Sequence, residues 1–157
     1  MDVHCRKMTA ADRPAAARLL KAFFAEDEFY LESSGAYGDA GAPPIAQALD
    51  LFVARPELGF VWLAFRGKEA AGMCVICYAI STSLGAVVGK LDDVFIADGV
   101  RGQGVGSAML KALGKELKAA GVLRIDSAVH VRNTQAARFY ARAGFKPLHE
   151  ERIALLL

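Results

Sequence analysis

The chain has 157 residues, the size of one ordinary domain and too short for two independent cores. Its 19 basic and 17 acidic residues nearly balance and are dispersed, which argues against a nucleic-acid partner, since phosphate binding concentrates positive charge on one face. The longest apolar run, AAGMCVICYAI, is about half of the ~20 residues that a membrane span needs, and the charged start MDVHCRKMTAAD lacks the apolar core of a secretory signal, so a cytoplasmic protein with no membrane partner is expected.

In chain order, VHCRK is expected to open the fold as a strand. Thr9 and Asp12 have the spacing of a capping box, with Asp a shorter stand-in for Glu or Gln. DRPAAARLLKAFFAE follows as a helix that tolerates Pro14 in its first turn. The acidic stretch AEDEFYLES then runs into a loop rich in Gly, Ser and Pro over about 32–44, and PIAQALDLFVA reads as a second short helix ending ahead of Pro56. GFVWLAFRG and AAGMCVICYAIST are strands separated by the turn signal RGKEA. Cys74 and Cys77 form a C-x-x-C pair, but residues three apart on a strand face opposite sides, so two free core cysteines are expected and no redox or metal site.

KLDDVFI reads as a further strand, followed by a glycine loop and a helix from about Val105 to Ala120. Val105, Met109, Leu113 and Leu117 recur every fourth residue as one apolar stripe while Lys111, Lys115 and Lys118 face away, and Gly121 closes the helix. LRIDSAV is another strand, TQAARFYARA another helix stopped by Gly144, and RIALLL a final strand. The whole is an α/β mixture around one central sheet, a single domain over residues 1–157, and not a regular doubly wound fold.

Within RGQGVG, Gly102, Gly104 and Gly106 free the backbone to bring its amides outward at the positive end of the following helix, an arrangement that binds phosphate. The Walker pattern fails, because no Gly-Lys-Ser/Thr follows at the required spacing. A dinucleotide fingerprint would need glycine where Ser107 stands. Asp126 is placed as its ribose acid would be, but the loop follows several strands instead of opening the domain. A tight turn without a ligand is the bland alternative.

VFIADGVRGQGVG resembles the Arg/Gln-x-x-Gly-x-Gly/Ala signature of the GNAT superfamily of acetyl-coenzyme A dependent N-acetyltransferases, with Arg101, Gly104 and Gly106 at the signature positions. NTQAARFYARAGF resembles the family's Asn-x-x-Ala-x-x-x-Tyr-x-x-x-Gly-Phe segment, and the likeness covers residues 86 to 157. Within the superfamily, KLDDVFIADGVRGQGVGSAML is most similar to the diamine and spermidine/spermine branch, with Asp92 where that branch usually has Glu. The resemblance implies a GNAT-like single domain, with a central mixed twisted sheet of about six to seven strands flanked by about four helices. It also implies acetyl-coenzyme A as co-substrate, no metal, and pairing as a homodimer.

An amine near pKa ~10 must lose a proton to attack a thioester. By the resemblance Asp92 faces substrate, as a base through water or as an anionic anchor, with a solvated or capping carboxylate as the alternative. Asp93, its neighbour on a strand, would face the other side and reads as structural. His130 is a second base candidate by its ordinary pKa, though a lone His at a strand end is more often structural.

The resemblance places an oxyanion-donating N–H at Phe95 or Ile96, and lets Val94, Phe95 and Ile96 pair with the pantetheine arm. The amides of Gly102, Gln103, Gly104, Val105, Gly106 and Ser107 would hold the pyrophosphate, with Arg101 adding charge. Asn133 either caps the last helix or binds the coenzyme, and Tyr140 corresponds to the general acid that protonates the leaving thiolate. AEDEFYLES stands where the branch has its amine-binding loop; of its acids Glu26, Asp27, Glu28 and Glu32, Glu28 is the expected amine-binding residue, with a merely solvated loop as the alternative. Transfer to a small-molecule amine, diamine or polyamine by preference, is therefore expected; a peptide or amino-sugar acceptor, a non-catalytic coenzyme A module and a nicotinamide oxidoreductase are the rivals.

Overall fold

The computed structural model describes residues 2–33, 35, 38 and 44–157, so most of the expected loop at 32–44 lies outside the described residues. Five strands, β1 (Val3–Lys7), β2 (Gly59–Arg66), β3 (Glu69–Ser81), β4 (Ala86–Ile96) and β5 (Ile125–Ser127), form one sheet in that order. β1 to β4 are antiparallel neighbours and β5 runs parallel to β4. The helices are α1 (Arg13–Glu26), α2 (Glu28–Ser33), α3 (Ile45–Ala54), α4 (Val105–Ala119) and α5 (Thr134–Arg142).

The sheet is covered on both sides, which is why β2 reads as a nearly unbroken apolar run. Phe60, Trp62 and Ala64 join Cys74, Ile76 and Leu91 against the α4 stripe of Val105, Met109, Leu113 and Leu117. Val61, Leu63 and Phe65 face the other way, with Met73, Val75 and Phe95, onto Ala16, Leu19 and Leu20 of α1 and Leu49 of α3. Burying each such leucine contributes about 1.5–3 kcal/mol. Trp62 donates its indole N–H to the Met109 carbonyl at 3.3 Å, fixing α4 to β2 by a polar contact inside the apolar layer.

Asp12 organises the start of α1. Its carboxylate accepts the Thr9 N–H at 2.7 Å and the Thr9 hydroxyl at 2.8 Å, and takes the Arg6 guanidinium at 2.6 and 2.9 Å. The Arg6 fork holds this carboxyl well below the usual carboxylate range. Cys74 packs in the α4-side cluster and Cys77 against the opposite one, and Cys5, Cys74 and Cys77 are all free thiols.

Two expected elements need correction. The acidic stretch after α1 is a helix, α2, because the Asp27 carboxylate accepts the Tyr30 N–H at 2.7 Å and starts a new turn. RIALLL is not a strand: residues 146–157 are exposed and outside any helix or strand. β5 is itself only Ile125–Ser127, which leaves little ladder to extend. The described residues thus hold five strands and five helices instead of about six to seven and four.

Candidate active site

The end of β4 departs from regular pairing twice. Gly89, Lys90 and Leu91 pair with Ile125, Asp126 and Ser127 of β5, after which the two strands part and Asp92–Ile96 keeps β3 alone as neighbour. On the β3 side Val75 opposes Asp92 and Met73 opposes Phe95, so Cys74 faces two residues, Asp93 and Val94. That is a β-bulge, and Asp93 takes its extra position at φ +54°, a conformation rare for a residue with a Cβ. Leu91 and Val94, three apart, consequently pack on the same face of the sheet.

Past the bulge the parity is set by the Ala97 N–H, which donates to Ala71 of the neighbouring strand at 2.9 Å. Phe95 therefore turns its main-chain groups toward β3, and Ile96 turns its own toward the open edge. The Ile96 carbonyl, on that edge, accepts Arg101 Nε at 2.8 Å. Of the two expected oxyanion donors, Phe95 is thus committed to the sheet and to the buried α1 cluster, while Ile96 faces the gap.

The glycine loop lies at the foot of this gap. Gly102 and Gly104 have φ of +73° and +82°, and a Cβ at either would meet open space, so conformation demands glycine there, not crowding. The amides of Gly102, Gln103 and Gly104 make no backbone hydrogen bond among the described residues. Those of Val105, Gly106 and Ser107 belong to the first turn of α4, whose N–H groups have no partner within the helix. Gly106 serves packing: a Cβ would come within 3.2 Å of the Phe139 ring, which seats α5 on the start of α4.

Arg101 is engaged within the protein. Its guanidinium pairs with Asp98 at 2.6 Å and Glu26 at 3.0 Å and lies over the Phe95 ring. It anchors the loop to β4 and α1, with its charge already matched. Gln103 is likewise held, donating to the Gly99 carbonyl at 2.8 Å and accepting from Arg66 at 2.9 Å. Asn133 caps α5 by accepting the Ala136 N–H at 3.1 Å.

Tyr140 projects from α5 to the other side of the gap, with its ring between those of Phe139 and Phe145. Burial pushes its hydroxyl up to about 12, against the nearby Ser127 hydroxyl, which works the other way. Ser127 donates its own proton to the Leu91 carbonyl at 3.1 Å, which ties the hydroxyl beside Tyr140 to β4. Tyr140 is therefore a neutral proton donor at physiological pH. No motif marks Ser127; only its place as the last residue of β5 before the strands part would have found it.

The two aspartates differ more than their adjacency suggests. Asp92 is paired with Lys90 at 3.0 Å and Arg152 at 2.9 Å, which matches its charge twice. Burial, followed by the neighbouring Asp92 charge, raises the Asp93 carboxyl to about 6. At the bulge Asp93 departs from regular strand alternation. Asp27, also raised by burial, lies within electrostatic reach of both Asp93 and His130.

His130 is held on every side. Its Nδ1 accepts the Arg132 N–H at 3.1 Å, its Nε2 lies 3.0 Å from Glu32, and its ring meets that of Phe29 at a tilt, with centroids 4.8 Å apart. Arg132 also pairs with Glu32, so α2 is fastened to the segment that precedes α5. Glu28, the expected amine ligand, stands in the first turn of α2. The acids Asp27, Glu28, Glu32, Asp92 and Asp93 thus come from α2, its approach and β4.

A bulged strand splayed from its parallel neighbour, a glycine loop at its foot and a neutral tyrosine across the gap thus meet in one place. Residues 57–147 match the acetyltransferase (GNAT) domain, and the chain belongs to the GNAT acetyltransferase family. It is 28% identical over 87 residues to the aminoalkylphosphonate N-acetyltransferase of Salmonella typhimurium, an alignment covering 55% of this chain and 56% of that protein. The chain thus matches about half the length of this curated relative.

Among solved structures, an integron cassette protein from the mobile metagenome of Cole Harbour Salt Marsh superposes with a TM-score of 0.74 at 26% identity, over 98% of this chain and 90% of that one. AAC(6')-Iy in complex with the bisubstrate analogue CoA-S-monomethyl-acetylneamine superposes with a TM-score of 0.74 at 16% identity, over 100% and 98% of the two chains, and shares the fold. Among the described residues no helix is long and apolar enough to cross a membrane.

Proposed function

We propose that the chain is an N-acetyltransferase that moves an acetyl group from acetyl-coenzyme A to the primary amine of a small molecule, by direct attack with both substrates bound. The observation that carries this reading is the open edge of β4, which runs from the glycine loop to Tyr140 with Asp93 at its bulge. The fit to the coenzyme rests on the free amides of Gly102, Gln103 and Gly104 and the unfilled space above them. The coenzyme supplies an electrophilic thioester carbon and a thiolate that leaves.

The chain's own residues divide the remaining work. The amides from Gly102 to Ser107, with the α4 dipole, hold the pyrophosphate. The main-chain groups of Val94 and Ile96 line the unpaired edge for the pantetheine arm, and the Ile96 N–H donates to the thioester oxygen. Asp93, ionised above about 6, accepts a proton from the incoming ammonium. Tyr140 gives its hydroxyl proton to the departing sulfur, and Ser127 aims that hydroxyl.

For the acceptor we favour a diamine or polyamine, because Asp27, Glu28, Glu32, Asp92 and Asp93 surround the amine side with carboxylates. A second reading, an amine that also carries an anionic group, is supported by Lys90 and Arg152 beside Asp92 and by the name of the Salmonella relative. We extend the proposal to a cytoplasmic homodimer, supported by the exposed Ile153, Leu155, Leu156 and Leu157, which equilibrium sedimentation tests.

The test of the activity is release of coenzyme A thiol from acetyl-coenzyme A, scanned across spermidine, short diamines, aminoalkylphosphonates, amino sugars and a peptide. Turnover of one amine class establishes the transferase and names its acceptor. Binding of acetyl-coenzyme A without thiol release for any of them would leave a coenzyme-binding module and sink the catalytic reading.

A further inference from the structure

Asp92 has two cationic partners that differ in kind. Lys90 stands two residues away on β4, so it accompanies Asp92 wherever the strand goes. Arg152 comes from a segment sixty residues later in the chain, in which every residue from Lys146 to Leu157 is exposed and outside regular structure. The last residue before it to pack into the core is Phe145, whose ring lies 5.2 Å from that of Tyr140. Further along, Leu156 lies over Gly38. The segment thus runs from the packing of the tyrosine back across the amine side of the site, and it carries a guanidinium to a carboxylate there.

We propose that Arg152 sets the charge specificity of the acceptor site, as a tethered competitor for the second positive charge of a diamine or polyamine at Asp92. The proposal rests on the amine side being where the proposed function puts it. An acceptor with one nitrogen at Asp93 has Asp92, on the adjoining residue, as a carboxylate for a second nitrogen. Arg152 already occupies that carboxylate from the same chain.

The magnitudes allow exchange. A short flexible tether holds its charge at an effective concentration on the order of millimolar, which is the range over which free amines compete. The pair is half-exposed on the arginine side, with Arg152 42% and Asp92 24% accessible, so it is weak enough to open. A monoamine needs only Asp93 and leaves the pair closed. A dication must open it, and this appears in KM, not in the chemical step.

The test compares the parent with Arg152→Gln and Arg152→Lys, using 1,4-diaminobutane and 1-aminobutane as acceptors. Losing the competitor should lower KM for the diamine relative to the monoamine by about three- to fivefold, from the weight of a partly exposed pair, while the loss of the Arg152 charge beside Asp93 acts on both amines alike and leaves the ratio of their kcat values within about 1.5-fold. Arg152→Lys should restore the parental ratio of the two KM values. Equal changes for both amines, or none for either, overturn the proposal. If neither amine turns over, calorimetric titration of each in the presence of coenzyme A takes its place. Tighter diamine binding by Arg152→Gln then upholds the competitor while the transferase reading fails, and unchanged binding overturns the competitor as well.

Discussion

Ser127 connects the surroundings of Tyr140 to the strand beside the gap: its hydroxyl donates to the Leu91 carbonyl at 3.1 Å and lies close enough to the tyrosine hydroxyl to act on its pKa. Leu91 is the last β4 residue paired with β5, so the proton donor is referenced to the point where the strands part. Removing the Tyr140 hydroxyl should lower kcat by roughly 100-fold, the lower range for a positioned acid, with the acetyl-coenzyme A Kd within about twofold. Ser127→Ala keeps the acid and loses its aim, so a smaller fall, about three- to tenfold, is expected from the net worth of one hydrogen bond. Steady-state kinetics with separate coenzyme titrations checks both. Equal loss of binding and turnover in Tyr140→Phe would count against the acid role.

Asp93 makes two linked predictions. Its carboxyl is raised to about 6, so kcat/KM should fall below that pH as the carboxylate is protonated, and Asp93→Asn should remove this limb together with most of the activity. For stability, the folded-state value lies above the unfolded one. The folded state therefore binds the proton more tightly, and this contribution, full below the unfolded pKa of 3.8, is lost as pH rises through about 6. At pH 7 the buried charge is a net cost, so Asp93→Asn should stabilise the fold by about 2 kcal/mol, below the limit that the shift allows because the group is partly solvated. Denaturant melts at pH 4 and pH 7 check this: the gain should appear at pH 7 and shrink at pH 4.

Gly104 begins α4 at φ +82° with nothing above it. Gly104→Ala meets no clash, so its cost is conformational, about 1–2 kcal/mol for a residue with a Cβ held in the left-handed region. The loop can relieve that strain only by turning the amides it presents. Acetyl-coenzyme A affinity should fall about tenfold, the equivalent of 1.4 kcal/mol, while the melting temperature moves by a few degrees. Calorimetric binding beside thermal unfolding separates the two effects.

How far the sequence could be read depends on the range of the interaction. The α4 stripe, the two-sided strands β2 and β3 and the glycine loop are local patterns, and each stands where its periodicity or backbone demand puts it. Tyr140 was legible because its helix carries a family pattern. The bulge was not, because a left-handed aspartate has no compositional mark. Ser127 and Arg152 gain meaning from partners 36 and 60 residues away, which no spacing rule reaches. RIALLL failed for the converse reason, since apolar content alone does not make a strand where no neighbour offers a ladder.

The helix that sequence reading took for a loop yields the last prediction. α2 has six residues, too few to persist alone in water, and none of them is buried. Glu32 compensates by pairing with His130 Nε2 at 3.0 Å and with Arg132, while the Phe29 ring meets that of His130 at a tilt. Glu32→Gln keeps the size and loses the charge, so α2 should loosen without disturbing the glycine loop, with which Glu32 makes no contact among the described residues. Amide exchange over Glu28–Ser33 should rise by about fivefold, in proportion to a latch of partly exposed ion pairs. The acceptor KM should rise with it, and acetyl-coenzyme A affinity should stay unchanged. Hydrogen-exchange mass spectrometry run beside kinetics decides the matter, because a fall in coenzyme affinity of the same size would show that the two halves of the site are not separable.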